Sequence, residues 1–144
     1  MSKKRGCVAA QPSTSTTGTR ILVVSQHDAV RRQLVFYLGL SPALAVSGDA
    51  FSPEAIVRID PDVVVLDLSR LGQAELLQAL DAVHETGARL IALASIREPA
   101  DERAVTAAGG LYRLKSAGAD GLAETVRELA SQAATALASQ SQPA

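Results

Sequence analysis

The chain has no tryptophan, two phenylalanines, two tyrosines and one cysteine among its 144 residues. Apolar residues make up 47% of it and aromatics only 3%, so any core is built from Val, Leu, Ile and Ala. Small aliphatic side chains of that kind suit a sheet covered by helices. A single cysteine excludes an internal disulfide and argues against a thiolate metal site; Cys7 has no recognisable base near it and reads as inert. No apolar run approaches the length of a membrane span. No apolar stretch of signal-peptide length follows Lys3, Lys4 and Arg5 either, so a cytoplasmic location without membrane contact is expected. A chain of this length can bury one self-sufficient core, and one domain is expected.

Acidic residues are missing from the first twenty positions, which hold Lys3, Lys4, Arg5 and Arg20. The formal charge of −1 therefore conceals a body with ten basic against fifteen acidic side chains. An acidic body offers no basic face for phosphate contacts, so direct nucleic-acid binding is not expected. Residues 1–19, rich in Ser, Thr and Gly, cannot bury enough surface to offset their ordering entropy and read as a disordered tail. Residues 20–130 hold the domain; 131–144 read as a frayed helix end and a second tail.

Five short apolar runs read as strands: Arg20–Ser25, Ala43–Ser47, Asp62–Asp67, Arg89–Ala94 and Leu111–Lys115. The runs at 21–24 and 63–66 are apolar at every position, as expected of central parallel strands covered on both faces. Helical periodicity fills the gaps. Val30, Leu34 and Leu38, joined by Tyr37, form one stripe; Ser52, Pro53 and Glu54 open a second helix with a capping residue, a first-turn proline and an acid. Leu76, Leu77, Leu80 and Val83 mark a third, residues 100–108 a weaker fourth, and Leu122, Val126 and Leu129 a fifth. Five β-then-α units with short connections predict an open, doubly wound parallel sheet with helices on both faces.

Reacting groups in such sheets gather outside the carboxyl ends of the strands. Those ends carry Ser25 and Gln26, Asp67, Ala94 and Ser95, and Lys115. Asp67 closes a run of four apolar residues, so its carboxylate emerges at the rim of the core and needs a partner there. Lys115 is the candidate: of the ten basic residues after position 20, nine are Arg and it is the one Lys. A compact ammonium on a flexible stem serves a different purpose from a planar guanidinium fork.

Arg20–Ser25 followed by His27–Arg31, then Pro61–Asp67, then Tyr112–Lys115, resembles a response-regulator receiver domain. The resemblance covers residues 20–130 and implies a flavodoxin-like sheet of five strands in the order 2-1-3-4-5. It implies that Asp67 is a phosphoacceptor that forms an acyl phosphate and that Lys115 pairs with the phosphoryl oxygens. It makes Ser95 the switch hydroxyl and Tyr112 the aromatic switch, both following a loop biased by the added charge. The implied partners are a sensor histidine kinase or another signalling protein.

The departures from that pattern are specific. The acidic pair that holds Mg²⁺ in such domains is replaced by Ser25 and Gln26, and the next carboxylate, Asp28, begins a helix. With Asp67 as the remaining acid of the site and Gln26 a poor substitute ligand, Mg²⁺ affinity is expected to be low. Ala94 stands where Ser or Thr is usual, with Ser95 after it, and Ser116 follows Lys115 in place of Pro. The plain alternative for Asp67 with Lys115 is an inherited ion pair without phosphoryl transfer. His27 reads as a capping or solvated residue, His84 as a surface residue, Tyr112 alternatively as a core aromatic, and Gly109–Gly110 as a turn. No nucleophile with an adjacent base is visible, so turnover chemistry on a small substrate has no support.

Two functions follow. One is an atypical stand-alone receiver in a phosphorelay, accepting phosphate on Asp67 and signalling through partner proteins, since no room for a DNA-binding output domain is expected after the fifth helix. The other is a phosphorylation-independent interaction module that docks a partner or a second copy of itself. A nucleotide- or cobalamin-binding domain of the same fold is disfavoured by the lack of a suitable Gly-rich turn or an Asp-x-His-x-x-Gly signature.

Overall fold

The computed structural model describes residues 19–40, 44–50, 52–115, 121–129 and 131. The expected tails lie outside the described residues, except that Thr19 already belongs to the first strand and Ser131 is helical. Cys7 lies outside them too.

The elements alternate along the chain: β1 (Thr19–Val24), α1 (Asp28–Gly39), β2 (Leu44–Ala50), α2 (Glu54–Ile59), β3 (Val63–Asp67), α3 (Gln73–Thr86), β4 (Arg89–Ala94), α4 (Pro99–Ala107) and β5 (Leu111–Leu114). A last helix, α5, covers 121–129. The strands form one parallel sheet in the order β2-β1-β3-β4-β5, a flavodoxin-like doubly wound arrangement. The uniformly apolar segments take its centre. Ile21 to Val24 and Val63 to Leu66 are all fully buried, because neighbouring side chains point to opposite faces and both faces are covered. Leu22, Val24, Val64 and Leu66 pack with Ile56, Leu76, Val83 and Val105 beneath α2, α3 and α4. Ile21, Val23, Val63 and Val65 pack with Leu34, Leu38, Leu122, Val126 and Leu129 beneath α1 and α5. Each such side chain contributes about 1.5–3 kcal/mol when withdrawn from water.

Three local expectations are corrected. β2 runs on to Ala50, because its pairing with β1 slips by one residue: Ile21 faces Val46 and Leu22 faces Gly48, with Ser47 left over as a bulge. Pairing with β1 thus carries the strand through Gly48. Tyr37 and Leu77 are not core residues, being 37% and 50% exposed. The buried positions of α1 are Arg31, Leu34 and Leu38, and those of α3 are Leu76, Ala79, Ala82 and Val83, which turns both side chains off the sheet-facing stripe. The cap of α2 is Pro53 rather than Ser52, and Ser52 instead accepts the Ala55 N–H on its carbonyl.

Gly87 ends α3 at φ 77° with its N–H on the Val83 carbonyl, a left-handed cap that favours glycine. A Cβ there would meet nothing within 4 Å, so Gly87→Ala carries a backbone cost alone. It is expected to lower stability by about 1 kcal/mol, read as a fall in urea midpoint at unchanged m-value. Gly110 differs: it is buried, and a Cβ would come within 3.0 Å of Val105 and 3.2 Å of Leu90. The turn expected at Gly109–Gly110 is also where β5 passes close to α4.

Candidate functional site

β3 ends at Asp67, level with Leu93 of β4, and the ladder continues one step as the Leu68 N–H bonds the Leu93 carbonyl at 2.8 Å. The strand thereby delivers its last side chain to the carboxyl edge of the sheet with no exposure at all. A buried carboxylate needs donors, and three converge on it. Lys115, next after β5, places its Nζ 2.7 Å from Oδ1. The Ser69 N–H donates to the same oxygen at 3.1 Å, folding the chain back in an Asx-type turn. The Ser25 hydroxyl, just beyond β1, donates to Oδ2 at 2.8 Å.

The charge state follows from the balance of these groups. Burial works to raise the Asp67 carboxyl; the Lys115 hydrogen bond, the Ser69 N–H, the Ser25 hydroxyl and the Lys115 charge together outweigh it. The carboxyl is held below the ordinary aspartate value and is ionised at neutral pH.

A chain of hydroxyls leads outward from the pair. Lys115 Nζ also donates to Ser69 Oγ at 2.8 Å, and Ser69 Oγ lies 3.2 Å from Ser95 Oγ. An ammonium only donates, so Ser69 must accept from it and its own proton is free to pass to Ser95. Tyr112, half-buried against the α2–α4 face of the core, uses its hydroxyl differently. It accepts the Glu98 N–H at 2.9 Å and donates to the Ile96 carbonyl at 3.4 Å, gripping the loop that joins β4 to α4. Asp67, Lys115 and Ser95 are therefore connected, whereas Tyr112 is bonded to the loop beyond Ser95.

On the other side of Asp67 the charged groups are engaged elsewhere. Gln26 turns its amide away to Glu75, Nε2 to Oε2 at 2.8 Å, while Glu75 Oε1 accepts the Gly72 N–H at 2.9 Å and so caps α3. Arg31, 6% exposed on α1, donates to the Ser25 carbonyl at 3.1 Å and pairs with Asp28, which fixes the turn that presents Ser25. His27 occupies the N-cap of α1 but forms no side-chain cap bond.

This donor set does not fit Mg²⁺. The ion prefers an octahedral oxygen shell with carboxylate charge, and the single carboxylate of the pocket is already engaged by an ammonium. Glu75 is tied into the α3 cap. Among the described residues no three His, Cys, Asp or Glu side chains group to hold a metal. No described helix is long and apolar enough to cross a membrane.

Sequence reasoning missed Ser69, Arg31 and Glu75. A hydroxyl two positions after the strand-ending Asp67 was the available signal for the first, since that spacing builds an Asx-type turn.

No family model and no curated protein matches the chain. Solved structures do. The signal receiver domain of the response regulator NarL from Mycobacterium tuberculosis superposes with a TM-score of 0.69 at 24% identity, over 80% of this chain and 98% of that one. A CheY-like receiver domain protein from Methanospirillum hungatei JF-1 gives 0.69 at 16% identity, over 83% and 98%. The isolated receiver domain of RcsB from Salmonella enterica serovar Typhimurium, solved in the presence of the phosphomimetic BeF₃⁻, gives 0.64 at 18%, over 76% and 86%. At these identities the likeness establishes the fold.

Proposed function

We propose that this chain, which has the fold of a response-regulator receiver domain, is a phosphoacceptor module of a two-component phosphorelay, with Asp67 as the accepting group. The observation that supports the reading best is the fully buried, ionised Asp67 carboxylate with the Lys115 ammonium 2.7 Å away at the sheet's carboxyl edge. A structural neighbour solved with a phosphomimetic lends support by analogy.

In the proposed step a carboxylate oxygen of Asp67 attacks the phosphorus of a kinase phosphohistidine or of a small acyl phosphate. The P–N or P–O bond breaks, the imidazole or carboxylate leaves with the electron pair, and an acyl phosphate remains on Asp67. Oδ2 is the freer oxygen, since it accepts the rotatable Ser25 hydroxyl while Oδ1 holds Lys115 and the Ser69 N–H. Lys115 offsets the charge that arrives.

The new phosphoryl oxygens compete for Lys115 and Ser69, and through Ser69 for Ser95. Movement of Ser95 pulls the loop whose backbone Tyr112 grips, so the switch runs from Asp67 through Ser95 to Tyr112. The partners of this reading are a sensor histidine kinase or other signalling protein upstream, and a protein or second copy that reads the α4–β5 side downstream.

Acetyl phosphate and intact-mass analysis test it. Wild type is expected to gain one phosphoryl group and Asp67→Asn none; no gain in wild type would leave the phosphorylation-independent module as the better reading.

A further inference from the structure

We infer that the Asp67 pocket receives its phosphoryl group without a divalent cation, using the hydroxyls of Ser25, Ser69 and Ser95 with Lys115 in place of metal ligands. The inference rests on the phosphoacceptor reading and specifies how that site is neutralised. It starts from charge. Asp67 meets one ammonium and the Ser25 hydroxyl, with the Ser69 hydroxyl on Lys115 and the Ser95 hydroxyl beyond it, so the charge of the carboxylate is offset before any donor arrives, and the Glu75 carboxylate is set apart behind Gln26. A phosphodonor carrying two negative charges approaches such a pocket without the repulsion that additional carboxylates would impose. The reason for a counter-cation is thereby removed.

The hydrogen-bond donors then suffice for the product. A phosphoryl group on Asp67 presents three non-bridging oxygens, each a strong acceptor. Lys115 carries three protons, of which two point to Asp67 Oδ1 and Ser69 Oγ. The Ser25 proton lies on Oδ2 and can swing to a phosphoryl oxygen bonded there, because a hydroxyl rotates at little cost. Ser69 and Ser95, their hydroxyl oxygens 3.2 Å apart, hold two further rotatable protons at the same rim.

Gln26 strengthens the case by where it points. Its amide is engaged by Glu75, whose second oxygen caps α3, so neither side chain is directed to a cation beside Asp67. Recruiting them would break both bonds.

The discriminating experiment follows phosphoryl incorporation from acetyl phosphate by intact mass, in Mg²⁺ and in EDTA. Wild type is expected to be labelled at the same rate in both. Ser25→Ala should be about 10- to 100-fold slower in both, as expected for loss of a hydrogen bond to a charged group. Ser25→Asp, or Gln26→Asp if that variant does not fold, should turn labelling Mg²⁺-dependent. Wild-type labelling that needs Mg²⁺ would overturn the metal-free site and leave the phosphoacceptor reading standing, as would a Ser25→Ala rate equal to wild type. Labelling in neither condition would overturn both.

Discussion

Lys115→Met is expected to cost about 2–3 kcal/mol at pH 7, because it strands an ionised carboxylate that has no exposure. The figure sits below that of a fully buried pair, since the Lys115 side chain is 28% exposed and Ser25 and Ser69 still donate to Asp67. Without the ammonium, burial is opposed by those two donors alone and the Asp67 carboxyl moves up. The sign of the pH dependence then reverses. In wild type the folded-state value is depressed, so the stabilisation is present above the unfolded value of about 3.9 and is lost as pH falls through the folded one. In the variant the folded value is raised, so stability falls as pH rises from about 4. Urea midpoints for the two proteins should therefore diverge between acid and neutral pH. Adding Asp67→Asn to Lys115→Met removes the stranded charge and should recover most of the loss at pH 7.

Leu66→Ala should be more damaging still, at about 3–4 kcal/mol. Leu66 has no exposure, stands between Val24 and Ala92 in the central strands, and packs into the cluster beneath α2, α3 and α4. Strands paired on both sides cannot close over the missing atoms, so the cavity persists and its cost adds to the lost transfer energy. A domain of this size has about 5–15 kcal/mol in all, which makes the effect a large share of its stability. Leu77→Ala is the matched control. Leu77 belongs to the same apolar pattern in the sequence but is half exposed, and its removal should shift the urea midpoint little.

That contrast shows how far the sequence is legible. The uniform apolar runs at 21–24 and 63–66 read as strands covered on both faces and take the centre of the sheet, whereas the order of its strands was implied by the family resemblance. Where a strand ends in a charged residue, the topology alone brings that residue to the carboxyl edge. This made Asp67 and Lys115 readable as a pair. Periodicity is coarser on helices: Leu76 and Leu77 are indistinguishable in the pattern, and a 100° step separates core from solvent. Side-chain direction in loops is not encoded by period at all. Ser69 becomes the link between Lys115 and Ser95 because the turn after β3, with Arg70 at φ 63°, aims its hydroxyl inward. Gln26 and Glu75 find one another across 49 positions, and Arg31 is buried because it reaches back to the Ser25 carbonyl. These contacts depend on rotamers that only the folded backbone selects.

Donors arriving from three separate segments keep the buried Asp67 carboxylate charged. Titrating the Asp67 side-chain carbonyl carbon by NMR reads that state directly. A midpoint below the ordinary aspartate value of about 3.9 is expected; a midpoint at or above that value would mean that the three donors do not outweigh burial.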